Sequence, residues 1–597
     1  MNLLQYPRRV FAGIFILALA VRLLHVLQMS ASPLFADPAV DASSYSEHAT
    51  RLAEGNWLGR GEGPFWQPPL YPYVLGLVKV VFPETFFYAA RLLQALVGSL
   101  SCALIYCLGL RAFNGRVGAV AGLAAALYGP LIYFDARLLP TGLATLFLLV
   151  TLVLLLRAVE RPSRAIFAVA GVVLGMTALT VATALALVPL LVFWLCWQFR
   201  NRAGWGWHWI GCFVLGTLVA VAPVSLRNAT IGGDAVLISY NGGVNFYVGN
   251  NADYENTISV RPGWEWEELV AQPLREGLVQ PSDKSRYFYA RAFESIAQAP
   301  LEYGALLVRK TAQFWHGDEI ERNQEIYYWR KYSAVLATSL WKWGLAFPFG
   351  LVTPLALIGL AVYVRQRGLA LPVLFALGYG AAVIAFFVTS RYRMPVIPLL
   401  LLFAVYGAFW LYEEHGRKTL RQNMPSVALL GGLLLVCNMG LSPMDMSGSA
   451  ATQNDLGNAY LRQGRYDMAQ LKFEQAVRRD STYWQAWFNL GGLRALHGDL
   501  QGALSIFQRV AAFNPERADV WSNLAGAHVG LGEYGKAAQV LEEALRVAPP
   551  RPDIYVELIR LYMAQRAFGR ADSLYHRALS QFPDDPYLHT LHDEIAH

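Results

Sequence analysis

Apolar residues follow one another with almost no polar interruption over 10–29, 87–109, 117–134, 140–156, 165–181, 183–199, 209–225, 346–364, 369–388, 395–412 and 426–441. A bilayer core of ~30 Å needs about 20 such residues per helix. The pattern therefore predicts about eleven membrane helices. The pair 165–181 and 183–199 is joined only by "LTVA", with almost no polar turn signal between them. Short loops on one side carry Arg8 and Arg9, Arg111 and Arg116, Arg157, Arg161 and Arg164, Arg200 and Arg202, Arg365 and Arg367, then Arg417, Lys418 and Arg421. Cationic short loops stay cytoplasmic. The amino terminus is accordingly predicted inside, and an odd helix count puts the carboxyl terminus outside. The outer face then receives 30–86, the turn 135–139, the long segment 226–345, the turn 389–394 and everything after 442.

Beyond Pro443 the pattern changes to soluble amphipathic helices with a repeat of 34 residues. Leu456, Leu490, Leu524 and Leu558 recur at that spacing, as do Ala469, Ala503, Ala537 and Ala571. Gly464, Gly498 and Gly532 mark turns inside the units, and Pro515, Pro549 and Pro583 end them. Small alanines let paired helices approach, and each unit buries its apolar face only on a neighbour. These residues resemble the tetratricopeptide repeat, in about four copies. The boundaries are drawn at 1–442 for the membrane domain, 443–453 for a linker and 454–597 for an α-solenoid. The solenoid is expected to hold a protein or peptide partner; spacing and stabilisation is the simpler alternative.

Composition agrees with a multi-pass membrane protein: 55% hydrophobic, 15% charged and a mean hydropathy of +0.33 over 597 residues. The net charge of +7 lies in the loop clusters rather than on one face, which excludes a nucleic-acid partner and leaves the bilayer as the surface it addresses. All five cysteines fall inside apolar runs without CxxC or histidine at ligand spacing, so no disulfide framework or metal site is expected.

Candidate chemistry gathers on the predicted outer face. In "DPAVDASSYSEHATRLAEG", Asp41 and Tyr45 share a helical face, and Asp37 lies one turn earlier. Two carboxyls in one cleft would raise the pKa of either; alternatively one of them caps a helix. "SRYRMPVIP" sets Arg391 and Arg393 on the side otherwise poor in cations. Two guanidinium groups suit a phosphate, or else anchor lipid headgroups. The stretch 223–250 is dense in Asn241, Gly242, Gly243, Asn245 and Asn250, and reads as a loop able to approach a sugar or phosphate. Arg137 and Asp135 end the third run. Glu319 and Asn323 stand at i and i+4 of a possible helix. The aromatic "FWQPPLYPY" reads as a stiff turn at the membrane interface.

The segments "DASSYSEHATRLAEG", "FWQPPLYPYVLGLV", "YGPLIYFDARLLPT", "RNATIGGDAVLISYNGGVNFYVGN" and "SRYRMPVIP" occur in the order and topological places seen in the GT-C membrane glycosyltransferases. Residues 1–440 resemble the protein O-mannosyltransferase and aminoarabinose-transferase-like branch. That resemblance implies an all-α, GT-C type transmembrane bundle with outer loops and a polyprenyl-phosphate sugar donor. It also implies transfer at the outer face with inversion, Asp41 as base, and Arg391, Arg393 and Arg137 on the departing phosphate. Asp37, Tyr45, Asp135, Glu319 and Asn323 would support the site or meet the acceptor. No cofactor is implied, and divalent-metal dependence stays open. The expected home is a bacterial inner membrane, with catalytic loops and repeats on the periplasmic side. Two other classes remain: a catalytically silent anchor for the repeats, and a transporter of lipid-linked sugar. The transporter lacks the expected two-fold helix repeat and midplane charges, Arg22 and Arg91 apart.

Overall fold

In the computed structural model the described residues are 7–200, 207–261, 263–322, 325–417, 420–441, 444, 448–583 and 585–596. The chain divides into two compact units, Met1–Met446 and Ser447–His597.

The first unit is a helical bundle. Its opening elements are α1 (Pro7–Met29), α2 (Asp41–Ala53), α3 (Leu70–Val81), α4 (Phe86–Ala112), α5 (Gly115–Ala126), α6 (Gly129–Ala136) and α7 (Thr141–Glu160). Among the described residues, seven helices are long and apolar enough to cross a membrane, or eight if α5 and α6 form one broken span. All eleven predicted runs fall on helices, but not all on full spans. The run 117–134 breaks, and α6 leaves α5 at 54°. Arg164–Ala178 and Leu371–Ala385 have 15 residues each. At 1.5 Å per residue each reaches only about 22 Å. Residues 179–181 turn the chain where little in the sequence announces it, and Ala182–Phe199 follows as its own span.

α4 and Ser390–Glu414 are the most enclosed spans. Small residues permit two of the closest crossings. A Cβ on Gly171 would meet the Phe213 carbonyl, and one on Gly359 the Phe403 carbonyl. Close backbone approach of this kind is a usual source of helix association in lipid. Within this bundle Arg22 of α1 and Asp135 of α6 form an ion pair at 2.7 Å, with both side chains almost wholly enclosed.

The outer segments are structured. "QPPLYPY" does not make an interfacial turn: Pro69 stands at the cap position and Leu70 begins α3. Pro72 falls in the first turn of that helix, where a missing N–H costs nothing. Residues 242–315 form five helices, followed by a short hairpin pairing Trp341–Lys342 with Ala346–Phe347.

The second unit is four antiparallel helix pairs: 450–462 with 466–479, 484–496 with 500–513, 518–530 with 534–547, and 552–564 with 568–581. A final helix, Pro586–Ala596, follows. The repeated alanines Ala469, Ala503, Ala537 and Ala571 are fully buried, as are Phe473, Phe507 and Leu541 one turn further on. Gly464, Gly498 and Gly532 adopt positive φ at the turns, where a side chain would be strained. The first helix begins at Ala450, inside the expected linker 443–453; residues 443 and 445–447 lie outside the described set.

Candidate functional site

A cavity of about 340 Å³ opens where the outer segments meet the bundle. Asp41 reaches it from the first turn of α2. No side chain caps that helix; the preceding Val40 has φ 60 and ψ −133, costly for a β-branched residue. At the cavity wall the Asp41 carboxylate accepts a hydrogen bond and ion pair from the Arg391 guanidinium. Capping does not account for Asp41. One turn on, Tyr45 lies buried beneath Arg391, edge-on to Tyr71 with ring centroids 5.2 Å apart. Burial pushes the Tyr45 hydroxyl above its ordinary range, and the Arg391 charge opposes that shift.

Arg391 stands in a four-residue helix, Ser390–Arg393, that Thr389 caps from its side chain. Pro395 lies just beyond, in a 3-10 turn before the long span continues. Arg137 leaves the end of α6 in extended conformation, its guanidinium 4.7 Å from the Trp329 ring. Asn241 and Asn245 line the same cavity, with Trp66, Gln67, Trp266, Phe387 and Tyr392.

A small ladder fixes part of this wall. The Tyr240 amide donates to the Phe65 carbonyl at 3.1 Å and the Asn241 amide to Trp66 at 3.3 Å. Asn228 binds both sides of it, accepting from the Phe65 amide and donating to the Val236 and Ile238 carbonyls. Its neighbour Arg227 donates to the carbonyls of Leu58 and Gly59. Both residues stand in the quoted "RNATIGG" but carry no motif, because their partners at Leu58, Gly59 and Phe65 are backbone groups far along the chain.

Other expected residues are placed elsewhere. Arg393 is fully enclosed outside the cavity lining; it donates to the carbonyls of His316 at 2.8 Å and Asp318 at 2.7 Å and pairs with Glu319 at 3.1 Å. Glu319 does not begin a helix. The helix Pro300–Trp315 has ended, and Arg393 takes carbonyls that a continuing helix would give to its own amides. Asn323 lies outside the described residues. Gly242 and Gly243 start a helix, Gly242–Gly249, rather than an open loop; a Cβ on Gly243 would strike the Ser285 carbonyl. Asn250 does not line the cavity; it accepts from the buried Lys310 ammonium at 2.9 Å, which also donates to the Gly249 and Phe386 carbonyls. Asp135 is held by Arg22 inside the bundle, beside a void of about 10 Å³. Asp37 precedes α2 outside the lining.

The second carboxyl in the cavity is instead Glu321. It accepts from the Ile326 amide through Oε1, while its buried Oε2 has no hydrogen-bond partner among the described residues. Burial pushes its carboxyl well above the ordinary range. Beside it Arg322 lies 4.9 Å from the Phe387 ring, its guanidinium lowered by burial. The acid density of "HGDEIERNQE" signals this segment, but a helical reading selects the wrong glutamate. Among the described residues no cluster of His, Cys, Asp and Glu has the makings of a metal site.

The arrangement combines two carboxyl groups, Asp41 and Glu321, three guanidinium groups and aromatic faces in a partly enclosed space. A carboxyl beside guanidinium groups can take up a proton while the cations hold an anion. Residues 66–226 match the family described as dolichyl-phosphate-mannose-protein mannosyltransferase, and residues 454–518 and 528–595 match tetratricopeptide repeat families. The first match lies within the first unit, and the two repeat matches together span most of the second. No curated protein matches it. Among solved structures, the Archaeoglobus fulgidus oligosaccharyltransferase in complex with Zn and sulfate is 13% identical, over 76% of this chain and 56% of that one, with a TM-score of 0.40. A thermophilic tetratricopeptide-repeat protein of Thermus thermophilus is 24% identical over 30% of this chain and 96% of its own, with a TM-score of 0.22.

Proposed function

We propose that the protein transfers a sugar from a polyprenyl-phosphate carrier to an acceptor hydroxyl at the outer face of a bacterial inner membrane, with inversion. The observation that carries this reading is the Asp41–Arg391 pair on one cavity wall, with Arg137 and Arg322 also lining the space. In the unliganded chain Arg391 neutralises Asp41. A donor phosphate entering the cavity competes for that guanidinium, which binds phosphate well through paired N–H groups. Asp41 is then free to accept the proton of the acceptor hydroxyl. As that proton leaves, the oxygen attacks the anomeric carbon, the bond to the phosphate oxygen breaks, and the phosphate departs with the electron pair toward Arg391 and Arg137. One carboxylate acting as base suffices for a single displacement, which inverts the anomeric centre; two carboxyls on the sugar at close range are not required.

Trp66 and Trp266 offer faces for the sugar ring, and Asn241 and Asn245 offer amides for its hydroxyls. The repeats recruit the acceptor protein or an assembly partner. Incubation of the purified protein with polyprenyl-phosphate sugars and a hydroxyl acceptor tests the reading. The product is expected to carry the opposite anomeric configuration to the donor by NMR; retention of configuration would overturn the single-displacement mechanism.

A further inference from the structure

Arg137 enters the cavity from a turn, 136–139, in which the Arg137 amide donates to the Phe134 carbonyl and the Leu139 amide to the Arg137 carbonyl. The carbonyls of this turn are also held from outside, by α4. The Gln94 side-chain amide donates to the Arg137 carbonyl at 2.6 Å and to the Leu139 carbonyl at 3.4 Å. One turn earlier Arg91 donates to the Ala136 carbonyl at 3.0 Å. The remaining polar atom of Gln94, its Oε1, accepts from the Tyr71 hydroxyl at 3.3 Å. Tyr71 in turn packs edge-on against Tyr45, and Tyr45 underlies Arg391. Gln94 is 6% exposed and Tyr71 2% exposed, so water does not substitute for either. A buried amide with every polar atom engaged fixes the geometry of what it binds, because each broken bond leaves a desolvated group.

We infer that Gln94, with Tyr71, is a positioning residue for donor binding: it joins the wall that carries Arg137 to the wall that carries Asp41 and Arg391, and so sets the spacing of the two guanidinium groups. Gln94 touches neither the cavity nor the reacting groups; it acts through the backbone of Arg137. A bidentate anion clamp is sensitive to such spacing, since sub-ångström displacement of supporting groups loosens a site without removing it. The inference rests on the phosphate-binding reading of Arg137 given above.

The test is a double-mutant cycle on the full chain, with a polyprenyl monophosphate as the binding probe. Gln94→Leu is expected to weaken binding about tenfold, a loss of about 1.4 kcal/mol, with thermal unfolding of the unliganded protein moved by no more than a few degrees. In an Arg137→Ala background the same change is expected to weaken binding by less than twofold, because the group it positions is gone. Tyr71→Phe keeps the ring against Tyr45 and removes only the hydroxyl; a two- to threefold loss is expected, which gives a second measurement should Gln94→Leu fail to fold. Full additivity of Gln94→Leu with Arg137→Ala overturns the inference, as does unchanged affinity in Gln94→Leu while Arg137→Ala weakens binding. Unchanged affinity in Arg137→Ala overturns the phosphate reading itself and the inference with it.

Discussion

Asp41→Asn separates two consequences of one ion pair. Asp41 is paired with Arg391, and under the proposed mechanism its carboxylate competes with the donor phosphate for that guanidinium. The pair is partly open to solvent, with side chains 28% and 21% exposed. Its net worth is therefore set near the upper end for exposed pairs, about 1 kcal/mol, rather than at the values of fully buried ones. Asparagine keeps the shape and removes the charge, which releases Arg391. Polyprenyl monophosphate should then bind about fivefold more tightly, the equivalent of that 1 kcal/mol. Turnover should move the other way, falling by about 10²–10⁴ through loss of the general base. Equilibrium binding in detergent or nanodiscs, followed by fluorescence of a labelled lipid phosphate, reads the first effect; product formation reads the second. Weaker lipid-phosphate binding in Asp41→Asn would refute the competition argument, because it would mean that the carboxylate helps to hold the donor.

Glu321 is protonated more readily in the folded chain than in the unfolded one, where its reference value is 4.5. Folding therefore takes up a proton above that pH, and stability contributed by Glu321 declines as pH rises from about 4.5 toward the raised folded value. Glu321→Gln should flatten that decline, and a melting-temperature profile identical to wild type between pH 5 and 8 would count against it. Asp135→Asn leaves the buried Arg22 uncompensated and should cost about 3–5 kcal/mol, whereas Arg22→Met combined with Asp135→Leu should recover most of it; equal stability of the single variant and wild type by thermal unfolding would contradict the pair's role. The segment 447–597, expressed alone, should unfold cooperatively with a helical circular-dichroism spectrum, since its alanine and aromatic core closes on itself; a spectrum without helix would show that it depends on the membrane unit.

The helical class, the membrane runs and the 34-residue repeat were legible because each is a periodicity, and periodicity reports which faces are buried. Spans of 15 residues and the break between α5 and α6 were not, because hydropathy counts apolar residues without showing where the helix axis bends. At the site, Asp41, Tyr45, Arg137, Asn241, Asn245 and Arg391 are brought to one cavity, in keeping with charges and amides at the outer ends of apolar runs. Arg393 shares its motif with Arg391 but packs inward: residues two apart in a short helix point to different sides, and the carbonyls left by the end of helix 300–315 supply its partners. Gly242 and Gly243 are small for helix packing rather than for ligand approach, a distinction composition does not carry. Arg322, Gln94 and Asn228 reach partners far along the chain, and no local spacing marks them; Glu321 binds only the nearby Ile326 amide, and what brings it to the cavity is the path of the segment.

The central claim, that the cavity releases a sugar from a lipid phosphate with Asp41 as base, is tested most directly by mass spectrometry. The purified protein is incubated with a panel of polyprenyl-phosphate sugars and the lipid products are compared between wild type and Asp41→Asn. The account predicts free polyprenyl phosphate from at least one donor with wild type and, through loss of the base, about a hundredfold less or lower still with Asp41→Asn. Equal release by both proteins would contradict the assignment of Asp41, and no release from any donor would contradict the enzyme itself.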